Sequence, residues 1–268
     1  MPSLLHIYDH YLYALVALGG TALGVASIQR FLCHSRWSVW ARSLHGVVPP
    51  FINIIGVLFG LTLAFLANDT WSAHDRASNA VFREADALRS LVTLSSALPE
   101  PLRGQVRGAL AGYGQASAGE WDLLARRQSS AQVPERADQL LRLLSSRAVA
   151  DATSENVQSL MLRKVSDIRD QRDQRIGLSQ THVNPLKWLG MAFLGLVTLL
   201  SLAAVHVDNP RAALVSMVLF ALAAAPTAAI VLIQGNPFEQ PAAVSPAPIA
   251  AAVQGLQAMP ALTSVPGA

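Results

Sequence analysis

The chain has 268 residues, 52% hydrophobic and only 14% charged, with a formal net charge of +3. A soluble globular domain carries about 25% charged residues, so this composition excludes an ordinary water-soluble domain. It equally excludes long disorder, which needs low hydrophobicity and high charge. The single Cys, Cys33, excludes an intrachain disulfide and any Cys-cluster zinc site.

The apolar residues fall in blocks. Tyr11 to Gln29, Gly46 to Asn68, Trp188 to Val207 and Ala212 to Phe238 contain no charged residue. A bilayer core roughly 30 Å thick is crossed by a helix of about 20 apolar residues. In lipid, only a helix satisfies the backbone of an isolated segment. Four transmembrane helices are therefore predicted, at 10–29, 47–68, 188–206 and 212–233. No Lys or Arg precedes Tyr11, so the first block fits a retained helix better than a signal peptide. Asn209-Pro210 predicts a tight turn that folds the last two spans into a hairpin. Tyr11 and Trp188 occupy positions where interfacial aromatics are expected.

Residues 69–187 hold most of the charge and predict a helical extramembrane domain between spans 2 and 3. Val81, Ala85, Leu88 and Val92 recur at helical spacing, with Arg83, Glu84, Asp86 and Arg89 between them. No Pro or Gly separates this stretch from the second span. One unbroken helix is expected from near Ile52 to Leu98, stopped by Pro99 and Pro101. Further helices are expected at 101–127, 135–149 and 153–180, with Pro134 marking a helix start. The chain thus divides into spans 1 and 2 (1–68), the helical domain (69–187), the hairpin (188–235) and a Pro/Ala-rich tail (236–268). The tail is expected to be mostly loop, with a short helix at 247–258 and ten disordered terminal residues.

Orientation is balanced on charge alone. Arg30, Arg36, Arg42 and Arg211 in short loops argue for those loops inside, while Arg76, Arg83, Arg169, Arg172, Arg175 and Lys187 flank the middle domain.

No phosphate-binding, nucleophile-elbow or zinc-protease motif occurs, and no His pairs with other ligands at a metal spacing. No cofactor, metal or enzymatic activity is expected. His74 and Asp75 are neighbours and so do not share a helix face. Glu84 and Asp86 likewise diverge, and these acids are expected on a solvated or intersubunit charged face. Arg163, Lys164, Arg169, Arg172 and Arg175 interleave with Asp167, Asp170 and Asp173. That pattern predicts a salt-bridged exposed helix with an Arg169–Asp173 pair, and excludes nucleic acid as a partner.

The second span carries the most information. Asn53, Val57, Leu61, Phe65 and Asp69 recur every fourth residue along one face. The face is polar at one end, apolar for three turns and acidic at the other. Several copies around an axis would form a hydrophobic constriction, which gates by dewetting, with polar rings at its mouths. These five residues are the candidate pore lining. Most such stripes in membrane helices are lipid-facing or packing surfaces, with Asn53 then bonding a neighbouring helix, and Gly56 with Gly60 forms a GxxxG suited to close helix packing.

The run from Gly56 to Arg89 resembles the bestrophin-like domain family, membrane proteins distantly related to bestrophin anion channels. The matching features are Ala64-Phe65-Leu66, Trp71, Ala77, Glu84-Ala85, Ala87-Leu88 and the break Leu98-Pro99-Glu100-Pro101-Leu102-Arg103. Asn236-Pro237-Phe238, Val244-Ser245-Pro246 and Pro248-Ile249 resemble the family's closing motif. Bestrophins usually carry G-F-R at the turn held here by Ala64-Phe65-Leu66, and no acidic cluster here resembles the calcium clasp of animal bestrophins. The resemblance implies a pentameric homo-oligomer in the cell (inner) membrane with a cytosolic middle domain. It puts Val57, Leu61 and Phe65 at the apolar neck of a pore for small ions, anions foremost. The alternative is a non-conducting membrane scaffold or sensor whose helical domain docks a partner.

Overall fold

The computed structural model describes residues 4–34, 48–180, 185–254 and 256. Among the described residues every regular element is helical. They are α1 (Leu4–His34), α2 (Val48–Ser95), α3 (Leu102–Ala118), α4 (Trp121–Ala125), α5 (Gln132–Leu144), α6 (Arg147–Ala152), α7 (Glu155–Gln180), α8 (Pro185–Val205), α9 (Pro210–Ile233) and α10 (Ala247–Val253). The chain forms two compact units. One holds residues 1–72 and 182–235, the other residues 73–181 and 236–268. The 48-residue α2 contributes to both. Its length follows from the absence of any Pro or Gly between Gly60 and Pro99.

In the first unit α1 packs against α8 and α9, and α8 against α9. Val25 and Ile28 of α1 are buried with Leu199, Ala203 and Met217. A second cluster joins Phe59, Leu66 and Ala67 of α2 to Met191, Ala224 and Val231, with Trp188 packed against it. Phe59 lies over Gly195, where an added Cβ would stand 3.3 Å from its ring, and meets Phe220 at 5.1 Å between centroids. Asn209 caps α9 by accepting from the Ala212 N–H at 3.2 Å, with Pro210 as the first helical residue. That is the expected hairpin turn, built from a strong capping residue and a Pro whose missing N–H would be unpaired anyway.

Three helices among the described residues are long and apolar enough to cross a membrane: α2, α8 and α9. Leu186, Leu189, Phe193, Leu200, Leu219 and Leu222 are exposed on the last two. So large an apolar surface would drive aggregation in water; facing lipid it costs nothing. Thr62, Thr198 and Ser201 turn their hydroxyls onto carbonyls of their own helices, which spares hydrocarbon an unpaired donor.

The second unit is a helical bundle around the second half of α2. Ala77, Val81, Ala85, Leu88 and Leu91 form its buried stripe, against Leu110 and Tyr113 of α3, Ala137 and Leu140 of α5, and Met161, Val165 and Ile168 of α7.

Several sequence-based boundaries are revised. The helix expected at 101–127 is two, α3 and α4, broken at Gly119-Glu120. The break turns Glu120 and Trp121 into the core. The helix expected at 135–149 is likewise two, α5 and α6, separated at Ser145-Ser146. Pro134 lies inside the first turn of α5, which begins at Gln132. The tail is more ordered than a Pro-rich loop: Asn236, Phe238, Val244, Ile249 and Val253 are buried in the second unit. The loop arginines Arg36 and Arg42, and the last ten residues, lie outside the described residues.

The tail helix α10 docks on α3 through a glycine. A Cβ on Gly114 would stand 2.5 and 2.7 Å from the two methyls of Val253. Gly114→Leu should therefore undock α10, and chymotryptic cleavage after Phe238 or Leu256 should accelerate. Unchanged protection of these sites would show that the contact does not hold the tail.

Candidate functional site

The stripe on α2 comes first. Asn53, Val57, Leu61, Phe65 and Asp69 are all exposed in the single chain. Val57 is 62%, Leu61 51% and Phe65 68% exposed, whereas Phe59, Leu66 and Ala67 on the opposite side are buried. The stripe is thus a face of α2 that no other described part of the first unit covers. Among the described residues nothing lies within 4 Å of a Cβ built on Gly56 or Gly60, so no described helix packs closely on the GxxxG.

Asp69 is not a bare acid. Lys187 Nζ donates to its Oδ2 at 2.5 Å, with both side chains about half exposed. Close by in sequence, Trp71 Nε1 donates to Gln234 Oε1 at 3.2 Å.

A second polar constellation lies in the helical bundle, where sequence patterning expected none. Glu84 is fully buried rather than on a charged face. Arg175 Nε donates to Glu84 Oε2 at 2.7 Å, and Nη2 donates to Glu84 Oε1 at 3.1 Å. The hydroxyls of Tyr113 and Ser117 donate to the same Oε1 at 2.8 and 2.7 Å. Arg172 makes a matching fork to Glu120, through Nε at 3.1 Å and Nη2 at 2.6 Å. The Ser130 N–H also donates to Glu120, at 2.7 Å, and the Ser130 carbonyl accepts from Arg172 at 3.0 Å. Arg175 Nη2 stands 3.9 Å from Glu120, linking the two pairs. Two carboxylates and two guanidiniums thus cancel in a buried cluster.

The tail closes over this cluster. Arg175 lies 4.8 Å above the Trp121 ring, a cation–π contact. Trp121 Nε1 donates to the Val244 carbonyl at 2.5 Å, and the Trp121 ring meets Phe238 edge-on at 5.7 Å. Asn236 Nδ2 donates to the carbonyls of Leu124 and Ala125, both at 3.1 Å. Burial, reinforced by the Glu84 charge, pushes the Tyr113 phenol well above 10.0, so its hydroxyl stays protonated as a donor. Glu84 accepts four hydrogen bonds and Glu120 three, so both carboxylates are held by several donors.

The expected exposed, salt-bridged α7 is corrected accordingly. Arg172 and Arg175 are buried, and Arg169 pairs with Asp138 of α5 instead of Asp173. The missed signal was periodic. Met161, Val165, Ile168, Arg172 and Arg175 follow one 3-4 stripe, and Glu84 lies on the stripe of Val81 and Leu88. A charge on each of two apolar stripes is the mark of a buried pair.

A family model for the bestrophin-like domain matches residues 16–249. The chain belongs to the bestrophin-like domain family. Its fold is that of a bacterial bestrophin homologue from Klebsiella pneumoniae. One single-substitution crystal structure of that protein aligns at TM-score 0.66 and 15% identity, over 94% of this chain and 97% of that one. The structure phased on zinc aligns at 0.65 and 15%, over 92% and 96%. A crystal structure of a membrane protein variant aligns at 0.67 and 16%, over 89% and 96%. No curated protein matches the chain.

Proposed function

We propose that this protein is an oligomeric ion channel, selective for small anions, whose pore is lined by α2. The observation that carries this is the uncovered stripe: Val57, Leu61 and Phe65 stay exposed on a helix whose other side is packed. One chain cannot enclose an axis with one such face, but a cyclic homo-oligomer can. Membership of the bestrophin-like family supports the same arrangement. Anion preference and a pentameric ring rest on the bestrophin resemblance.

In this reading α1 is a fourth span, since its Tyr11–Gln29 segment is uncharged and the helix packs on α8 and α9. The unit of residues 73–181 and 236–268 is then the cytosolic domain of a protein held in the inner membrane of the cell. Asn53 and Asp69 mark the two mouths, and the three apolar positions between them form the neck.

The test is the mass of the particle held in detergent or nanodiscs, by light scattering with electron-microscopy class averages, followed by flux from liposomes. A ring with an axial passage and chloride flux is expected. A monomer, or a ring that passes no ion, overturns the channel. The latter outcome would favour the scaffold alternative.

A further inference from the structure

We infer that the Asp69–Lys187 pair sets the ion preference of the pore, with Lys187 cancelling a ring of acids that would otherwise favour cations. The inference rests on the channel reading above and adds a selectivity residue to it.

Asp69 is the first charge after the second span, and Lys187 is the last before the third. Both therefore flank the spans at the same end. The aromatic residues of that end agree: Trp71 is exposed and bonded to Gln234 just past α9, and Trp188 follows Lys187 directly. Trp concentrates in this way at the boundary between hydrocarbon and water. On α2, Asp69 falls between the exposed stripe of Phe65 and the buried side of Leu66, because successive helical residues turn by about 100°. Lys187 reaches it across that edge at 2.5 Å, with 52% of the Lys side chain and 54% of the Asp side chain exposed. The pair is thus wet, unlike the buried cluster of the other unit.

As a stabilising contact, such an exposed pair contributes little. Its consequence lies in the field. Rings of Asp or Glu make cation-preferring mouths, and rings of Lys or Arg make anion-preferring ones. Every copy of the chain would bring one Asp69 to the mouth, so without Lys187 the acid would be multiplied by the subunit number. With Lys187 in contact, the mouth is neutral, and Asp69 no longer repels anions. Lys187 is one of only two lysines in the chain.

The experiment is the reversal potential of the full-length channel in planar bilayers under a KCl gradient. Lys187→Gln should raise the cation-to-anion permeability ratio several-fold over the unsubstituted protein. Asp69→Asn should lower it, and the double variant should return near the starting value. All shifts should shrink in about 1 M salt, where the screening length falls to about 3 Å. Conducting single variants with unchanged reversal potentials overturn this inference and leave the channel standing. Absence of current from the unsubstituted protein overturns both. If Lys187→Gln does not assemble, Asp69→Asn alone decides through its opposite shift.

Discussion

Arg175→Met should destabilise the full chain by about 3–5 kcal/mol, because it leaves a buried carboxylate without its counter-charge. Arg175 and Glu84 are both fully buried. Once the guanidinium is gone, Glu84 keeps only the hydroxyls of Tyr113 and Ser117. Neither can neutralise it. The cation–π contact on Trp121 is lost as well, although Met can fill part of the space. In thermal unfolding the midpoint should fall by roughly 10 °C for a chain of this size. The informative comparison is the double variant Glu84→Gln with Arg175→Met. It removes both charges while keeping an acceptor for the hydroxyls, so it should recover much of the loss. If Arg175→Met melts like an ordinary surface variant, the cluster does not hold the bundle.

The architecture was legible because membrane spans and long helices are written in composition. The uncharged block of Gly46–Asn68 and the unbroken run to Pro99 gave α2 within a few residues. The Asn209-Pro210 turn followed from local capping chemistry. What escaped were features made by partners distant in sequence. Glu84 and Arg175 are 91 residues apart, and each alone looks like a surface charge. The break at Gly119-Glu120 has no Pro; Gly119 caps α3, and the inward-turned Glu120 meets Arg172, 52 residues away. The tail looked like loop because Pro and Ala lack helical patterning. Its order comes from Asn236, Phe238 and Val253 docking onto α3 and α4. The α2 stripe was legible as a pattern, and its five residues are exposed in the single chain. The ion pair that neutralises Asp69 was not, since Lys187 is 118 residues away.

Phe65→Ala and Leu61→Ala should each raise ion flux through the reconstituted channel. An apolar ring impedes ions by excluding water, so the barrier depends on the width and hydrophobicity of the ring. Truncating Phe65 widens its ring in every subunit at once. A barrier lower by about 1.4 kcal/mol corresponds to a roughly tenfold higher rate, and an effect of that order is expected. Leu61→Ala removes less bulk and should act in the same direction more weakly. The geometry keeps the measurement separate from folding. Phe65 is 68% exposed in the chain and Leu61 51%, so neither truncation opens a cavity within the subunit. Phe193 supplies the control. It is 63% exposed on α8, where the proposed arrangement has it facing lipid, and Phe193→Ala should leave flux unchanged. Equal flux in all three variants would remove α2 from the pore wall. A rise in the two α2 variants alone would support the uncovered stripe as the conduction path.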